Sequence, residues 1–332
     1  MFKRIGLISI ALSLNTISFT SEACSALVFN KNKPATVAVN LDWKYREGAF
    51  VIHPRNAMMV SSVDYHSMHP LIWKSQYGSV IFHGGNRFKA GPSADGMNEK
   101  GLTASILMLD SSSYPSNSEL PALKTTEWVQ YILDNFQTVQ EVIDDSSNYQ
   151  LVADTYRGIT MNVHLMVSDA EGKSAVFEYL DGKLVIHTQD NLTMPVLTNT
   201  DYKSSLALLE EYQDHGGSKA LPGGYDSNSR FVRAAHYLKK LPSFIAKEEH
   251  IAYAFNGLNV VTQAPGTSSP TQLSMVFDIP TKTIYFRSIN EAALRVISMD
   301  SIDFDYLYQP IALNVYQHLS GDVTDKFQPM IG

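Results

Sequence analysis

The apolar and polar positions divide the chain into short runs punctuated by turn chemistry. Residues 24–30 and 35–41 each read as a strand, and the polar stretch 31–34 between them as a turn, so a hairpin is predicted at this point. Further strands are predicted over 77–83 and 101–109, the second preceded by two turn signals, Asp95-Gly96 and the 98–101 segment. A meander is predicted over 161–167, 174–180 and 184–188, with turns at 170–172 and 181–182. Residues 125–127 open a helical stretch in which Trp128, Val129, Ile132, Leu133 and Phe136 recur at helical spacing, and 139–143 continue it. Segments 203–212, 229–241 and 250–255 are also read as helices, and 273–278 with 283–287 as a hairpin. Strands, helices, strands, helices, strands is not the alternation of a doubly wound sheet. It suits an α+β domain, two antiparallel sheets with helices on their outer faces.

The start of the chain has a different pattern. Lys3 and Arg4 precede a mostly apolar stretch over 5–20, and Ser21 and Ala23 put small residues where a signal peptidase reads them. Residues 1–23 are therefore predicted to be a signal peptide removed between Ala23 and Cys24, leaving 24–332 as a single domain in the periplasm or outside the cell. No later run approaches the roughly 18 apolar residues of a membrane helix, so no membrane span is expected.

Composition narrows the classes. With 15 Phe, 17 Tyr and 3 Trp in 332 residues, global disorder is excluded. A net charge of −7 gives no overall basic footprint, so nucleic acid is not an expected partner. The single cysteine rules out an intrachain disulfide and any metal site built on several thiolates. That cysteine is Cys24, at the predicted new terminus. Three readings remain for it: a lipid-anchored binding protein acylated on Cys24, to which Ser21 and Glu22 are poorly suited; an ordinary free thiol; or a nucleophile. An N-terminal cysteine carries a thiol titrating near ~8.5 and an amine near ~7.7–8.0, so the amine can take the thiol proton. Nucleophile and base are then preassembled on one residue.

With the cut placed there, several short motifs fall in order: Cys24-Ser25-Ala26, Asn40-Leu41-Asp42-Trp43, the Asp95 to Leu102 run, Leu197-Thr198-Asn199, and Ser229-Arg230-Phe231-Val232-Arg233. This series resembles the choloylglycine hydrolase family, the bile salt hydrolases and penicillin V acylases of the N-terminal nucleophile superfamily. The export signal and Trp43 resemble its Gram-negative branch. The resemblance implies a four-layer αββα fold and cofactor-free hydrolysis of a linear amide in a small N-acyl substrate, often by a homotetramer. It implies Cys24 as nucleophile, Asp42 as the carboxylate that holds the terminal amine, Asn199 as an oxyanion donor and Arg230 as the organising cation. Met108 aligns with the other oxyanion position, where only its backbone N–H could donate; independently of the resemblance, Trp43 and Met108 could line an acyl pocket, with core packing the simpler reading. The family usually has arginine directly before the Asn40-Leu41-Asp42 segment, and this chain has Val39; a cation beside a thiol favours the thiolate, so its loss should raise the thiol pKa. Lys44 and Arg46 are near in sequence, but strand alternation does not place either inward.

Other constellations are less informative. His66 and His69 lack a carboxylate cluster to complete a metal site, so no metal is expected. No nucleophile elbow, dinucleotide fingerprint or phosphate loop occurs. Tyr45, Phe82 and Met58-Met59 could line an acyl pocket, with core packing the simpler reading. An acyltransferase using the same thioester is the alternative enzyme.

Overall fold

Strands β1 (Ala23–Phe29) and β2 (Thr36–Asp42) pair antiparallel, with Cys24 opposite Leu41 and Ala26 opposite Val39. They belong to a computed structural model that describes residues 23–30, 35–86, 89–115, 119–188 and 191–330. Residues 1–22 of the predicted signal peptide and the predicted turn at 31–34 lie outside the described residues.

The hairpin lies within a seven-stranded sheet. Val196–Leu197 flanks β1, while Thr271–Asp278, Thr283–Ser288, Glu291–Ser298 and Gly321–Asp322 extend outward from β2. Every neighbouring pair is antiparallel except the last. A second, nine-stranded sheet runs in the order Lys183–Thr188, Ser174–Leu180, Val163–Ser168, Thr103–Met108, Lys89–Asn98, Ser79–Asn86, Ala49–His53, Ile311–Asn314 and Gln328–Pro329, antiparallel throughout. The helices are α1 (Trp128–Asn135), α2 (Val139–Asp145), α3 (Tyr202–Leu209), α4 (Ser227–Lys240) and α5 (His250–Asn259).

Two cores explain why the central strands read as unbroken apolar runs. Val80, Phe82, Leu107 and Met166 pack with Val37, Val39 and Met275 between the sheets. Their chain neighbours Ile81, Ile106, Leu165 and Val167 instead join Trp128, Leu133 and Val142 of α1 and α2 in a separate cluster. A strand covered on both faces has no polar side, so period-two alternation disappears. On the far side of the seven-stranded sheet, α4 and α5 pack against β1 and β2, with Phe231, Ala235, Ala254 and Leu258 in the inter-sheet cluster's extension. The layering is αββα, the expected α+β arrangement. Among the described residues no helix is long and apolar enough to cross a membrane.

The predicted strands and helices are present, with two kinds of difference. Asp95-Gly96 is not a turn; both residues lie in the strand Lys89–Asn98. Gly96 serves close packing instead, because a Cβ there would stand 2.8 Å from both Leu133 Cδ1 and the Val80 carbonyl oxygen. The turn falls at 98–101, where Asn98 Oδ1 accepts from the backbone N–H groups of Lys100 and Leu102 at 3.1 Å and Gly101 has φ +84°. The strands Ala49–His53, Lys89–Asn98, Glu291–Ser298 and Ile311–Asn314 were not anticipated. Lys89–Asn98 holds one large apolar residue, Met97, and so carries no periodic signal.

Replacing Gly96→Ala should cost roughly 1–3 kcal/mol, the usual penalty for overfilling a packed core. Urea unfolding measures it; an unchanged midpoint would contradict the close helix–strand approach.

Candidate active site

The site forms where β1, the N-terminal turn of α4 and the loop after Val196–Leu197 meet. Helix α4 starts cleanly because Asp226 caps it, its carboxylate accepting from Ser229 N–H at 2.9 Å. One turn in, Arg230 is 1% exposed. Its guanidinium distributes its donors over several chain segments: Nη1 to the Cys24 carbonyl and, at 2.7 Å, to Ser25 Oγ; Nη2 to Asn199 Oδ1 at 2.7 Å; Nε to the Tyr225 carbonyl at 3.1 Å. Asp42 Oδ2 lies 3.9 Å from Nη1 and supplies the opposing charge. A buried guanidinium is tolerated only when paired and hydrogen-bonded in this way.

Asn199 is oriented by its partners. Oδ1 receives Cys24 N–H at 2.9 Å as well as Arg230, and Nδ2 donates to the Met108 carbonyl at 2.8 Å. Two donors on one side and an acceptor on the other fix which amide atom is which. Ser227 Oγ holds the Asn199 backbone, accepting from its N–H at 2.8 Å.

Asp42 is 0% exposed and accepts from Thr271 Oγ1 at 2.5 Å and Gln263 Nε2 at 3.1 Å. Burial pushes its carboxyl up to about 7 against the pull of Arg230 and the two hydrogen bonds. Burial likewise pushes the Cys24 thiol far above its ordinary range, and the Asp42 charge adds to that. A second carboxyl contributes in the same direction. Asp95, 1% exposed, is pushed up to about 7 by burial, and its Oδ1 has no hydrogen-bond partner.

Cys24 opens onto a narrow apolar cleft of about 50 Å³ whose walls include Leu41, Trp43, Phe82, Ile106, Met108 and Met161. At its rim, Glu47 accepts from Tyr156 Oη at 2.8 Å and from Arg157.

The structure therefore brings Cys24, Asp42, Asn199 and Arg230 together, and places Trp43 and Met108 in the cleft wall. Three details differ from expectation. The nitrogen of Cys24, an amide while Ala23 is attached, meets Asn199 Oδ1, while Asp42 sits across the ladder from Ala23. The backbone group of Met108 seen at the site is its carbonyl, an acceptor and not a donor. Phe82 lines the cleft, but Met58 and Met59 lie on a separate two-stranded ribbon with Ile72–Lys74. Val39 is buried opposite Ala26, so Cys24, Ala26, Val39 and Leu41 share one face of the hairpin. Lys44 and Arg46 are exposed and leave the Val39 position without a replacement cation. His66 and His69 are exposed, and among the described residues no group of three or more His, Cys, Asp or Glu side chains is placed to hold a metal ion. Sequence reasoning missed Ser227, Gln263, Thr271 and the buried state of Asp95. Only the 42–271 register reveals Thr271, because 229 residues separate the partners.

Comparison with known proteins decides the relationship. Residues 24–311 match the model of the linear amide C–N hydrolases, choloylglycine hydrolase family. The chain belongs to the choloylglycine hydrolase family. It is an amidohydrolase acting on linear amides. It is 36% identical over 258 residues to a penicillin V acylase from Pectobacterium atrosepticum, a match covering 72% of this chain and 66% of that relative. Among solved structures, a penicillin V acylase from Agrobacterium tumefaciens superposes with a TM-score of 0.79 at 30% identity, covering 92% of this chain and 97% of the other. A variant of conjugated bile acid hydrolase from Clostridium perfringens superposes with a TM-score of 0.73 at 21% identity, covering 90% and 98%, which speaks to the shared fold.

The buried carboxyl of Asp95 gives a signed prediction. A carboxyl raised to about 7 in the folded state against 3.8 unfolded loses stability as pH climbs through that window. Asp95→Asn should therefore raise the melting temperature at pH 8 by several degrees and by less at pH 5. Calorimetry at the two pH values checks it, and a destabilised variant at pH 8 would contradict the burial.

Proposed function

We propose that the chain is exported, cut between Ala23 and Cys24, and then hydrolyses an N-acyl amide with Cys24 as nucleophile and its own α-amine as base. The carrying observation is that this one residue presents its side chain to an apolar cleft and its nitrogen, 2.9 Å from Asn199 Oδ1, to the polar array. The family match begins at Cys24, which supports the same cut.

The steps follow from the residues. The amine takes the thiol proton, and the thiolate attacks the amide carbon. The resulting oxyanion is met by Asn199 Nδ2, which has a second N–H beyond the one given to Met108; such a donor is worth roughly 2.7–4 kcal/mol. The C–N bond breaks as the ammonium returns its proton to the departing nitrogen, leaving a thioester. Water, deprotonated by the same amine, then releases the carboxylic acid. Arg230 and Asp42 keep the two ends of Cys24 in register throughout.

The acyl group occupies the apolar cleft beside Trp43 and Met108, and the leaving amine is small and polar. The penicillin V acylase relatives support phenoxyacetyl penicillins as candidate substrates, and the resemblance to the Gram-negative branch favours these and N-acyl homoserine lactones over conjugated bile salts. The protein works in the periplasm or medium, as a homotetramer, without a cofactor.

N-terminal sequencing of the exported protein should start at Cys24 with a free amine. Cys24→Ala, and a form keeping one extra residue ahead of Cys24, should each cleave phenoxyacetyl penicillin about 10³-fold more slowly or worse while remaining folded. Retained turnover in Cys24→Ala removes the mechanism. A fatty acyl mass on the mature terminus would instead make the protein a lipid-anchored one, and transfer to added amines would make it an acyltransferase.

A further inference from the structure

Behind the Asn199 loop lies a second buried charged cluster, none of whose members lines the cleft. His164, on the strand Val163–Ser168, and Glu178, on the neighbouring strand Ser174–Leu180, are both 0% exposed. His164 Nδ1 is 2.8 Å from Glu178 Oε1, and Nε2 is 2.7 Å from the carbonyl oxygen of Thr198, the residue before Asn199. A carbonyl oxygen only accepts, so Nε2 carries a hydrogen. The state of Nδ1 then depends on Glu178.

Glu178 is surrounded by donors. Tyr202 N–H reaches Oε1 at 3.0 Å and Oε2 at 3.2 Å, and His187 Nε2 lies 3.2 Å from Oε2. With donors on both oxygens the site is built for a carboxylate, and a carboxylic acid would be the poorer acceptor for each. Burial alone would raise Glu178, but the hydrogen bonds from His164 and His187 bring it down to about 2.

We propose that His164 is a positioning residue: hydrogen-bonded to Glu178, it fixes the Thr198–Tyr202 segment and so the aim of Asn199. The pair grips that segment at both ends, His164 at the Thr198 carbonyl and Glu178 at the Tyr202 N–H that opens α3. Ser227 Oγ ties the middle to α4, accepting from Asn199 N–H at 2.8 Å and donating to Thr198 Oγ1 at 3.0 Å. The titratable groups facing His164 are Glu178 on the adjoining strand, His187 on the edge strand beyond, and the Tyr202 phenol, whose ring lies 4.8 Å from that of His187.

The direct test is ¹⁵N NMR of the histidine rings in the unaltered protein. Nε2 of His164 should carry a hydrogen held in a hydrogen bond throughout pH 6 to 8; an Nε2 without a hydrogen overturns the proposal. The kinetic arm rests on the hydrolase reading above. His164→Gln should lower kcat about 10–100-fold with KM within about twofold, because a small misplacement of a transition-state donor costs rate and not substrate binding. Glu178→Gln should likewise lower kcat with KM within about twofold, a split that general loss of packing would not give. An unchanged kcat in a folded His164→Gln protein also overturns the proposal. If neither variant folds, the ring nitrogens decide. If the unaltered protein cleaves no N-acyl amide, the hydrolase reading falls while the NMR result still stands.

Discussion

Arg230 is the interaction on which the site depends. Its guanidinium is buried against one carboxylate, Asp42, and it spends its donors on the Cys24 carbonyl, Ser25 and Asn199. Those groups come from three parts of the chain, residues 24–25, 42 and 199, and a buried cation left without them would cost several kcal/mol. The cation thus supplies the reason that the first strand, the Asn199 loop and α4 close on one point. The hydrophobic cores set the layers at the right distance, and the guanidinium selects the register at their edge.

The same burial makes the precursor quiet. While Ala23 remains, the nitrogen of Cys24 is an amide, and the thiol faces Asp42 and Asp95 in a dry environment that opposes thiolate formation. The arginine usual in the family at the Val39 position is missing, so no second cation offsets those carboxyls from that side. The cut proposed above would place an amine on Cys24, the proposed nucleophile. In a site of low polarity such an added positive charge acts on the sulfur far more strongly than it would in water. The departure at Val39 increases the dependence on processing and on Arg230, and does not dismantle the machinery.

How much could be read beforehand depended on how local the signal was. Cys24 was fixed by the small residues ahead of it, and the helical periodicity of 128–136 reflects a face packed on one core. The motifs carrying Asp42, Asn199 and Arg230 were readable only in their order along the chain. Asp95-Gly96 misled because glycine serves turns and close packing alike, and Leu133 approaches too near for anything larger. Thr271, Gln263 and Ser227 are common polar residues whose roles arise from register and helix start. The His164–Glu178 pair likewise joins neighbouring strands across a turn, and its meaning appears only when Thr198 is seen above it.

The central claim is that the α-amine of Cys24 lowers the barrier to its own thiolate. The most direct measurement is the rate of Cys24 alkylation by iodoacetamide against pH, for the form starting at Cys24 and for the form retaining Ala23. The processed form should react with a midpoint near neutral pH, and the Ala23 form only in strongly alkaline solution. Coincident profiles for the two forms would contradict the claim.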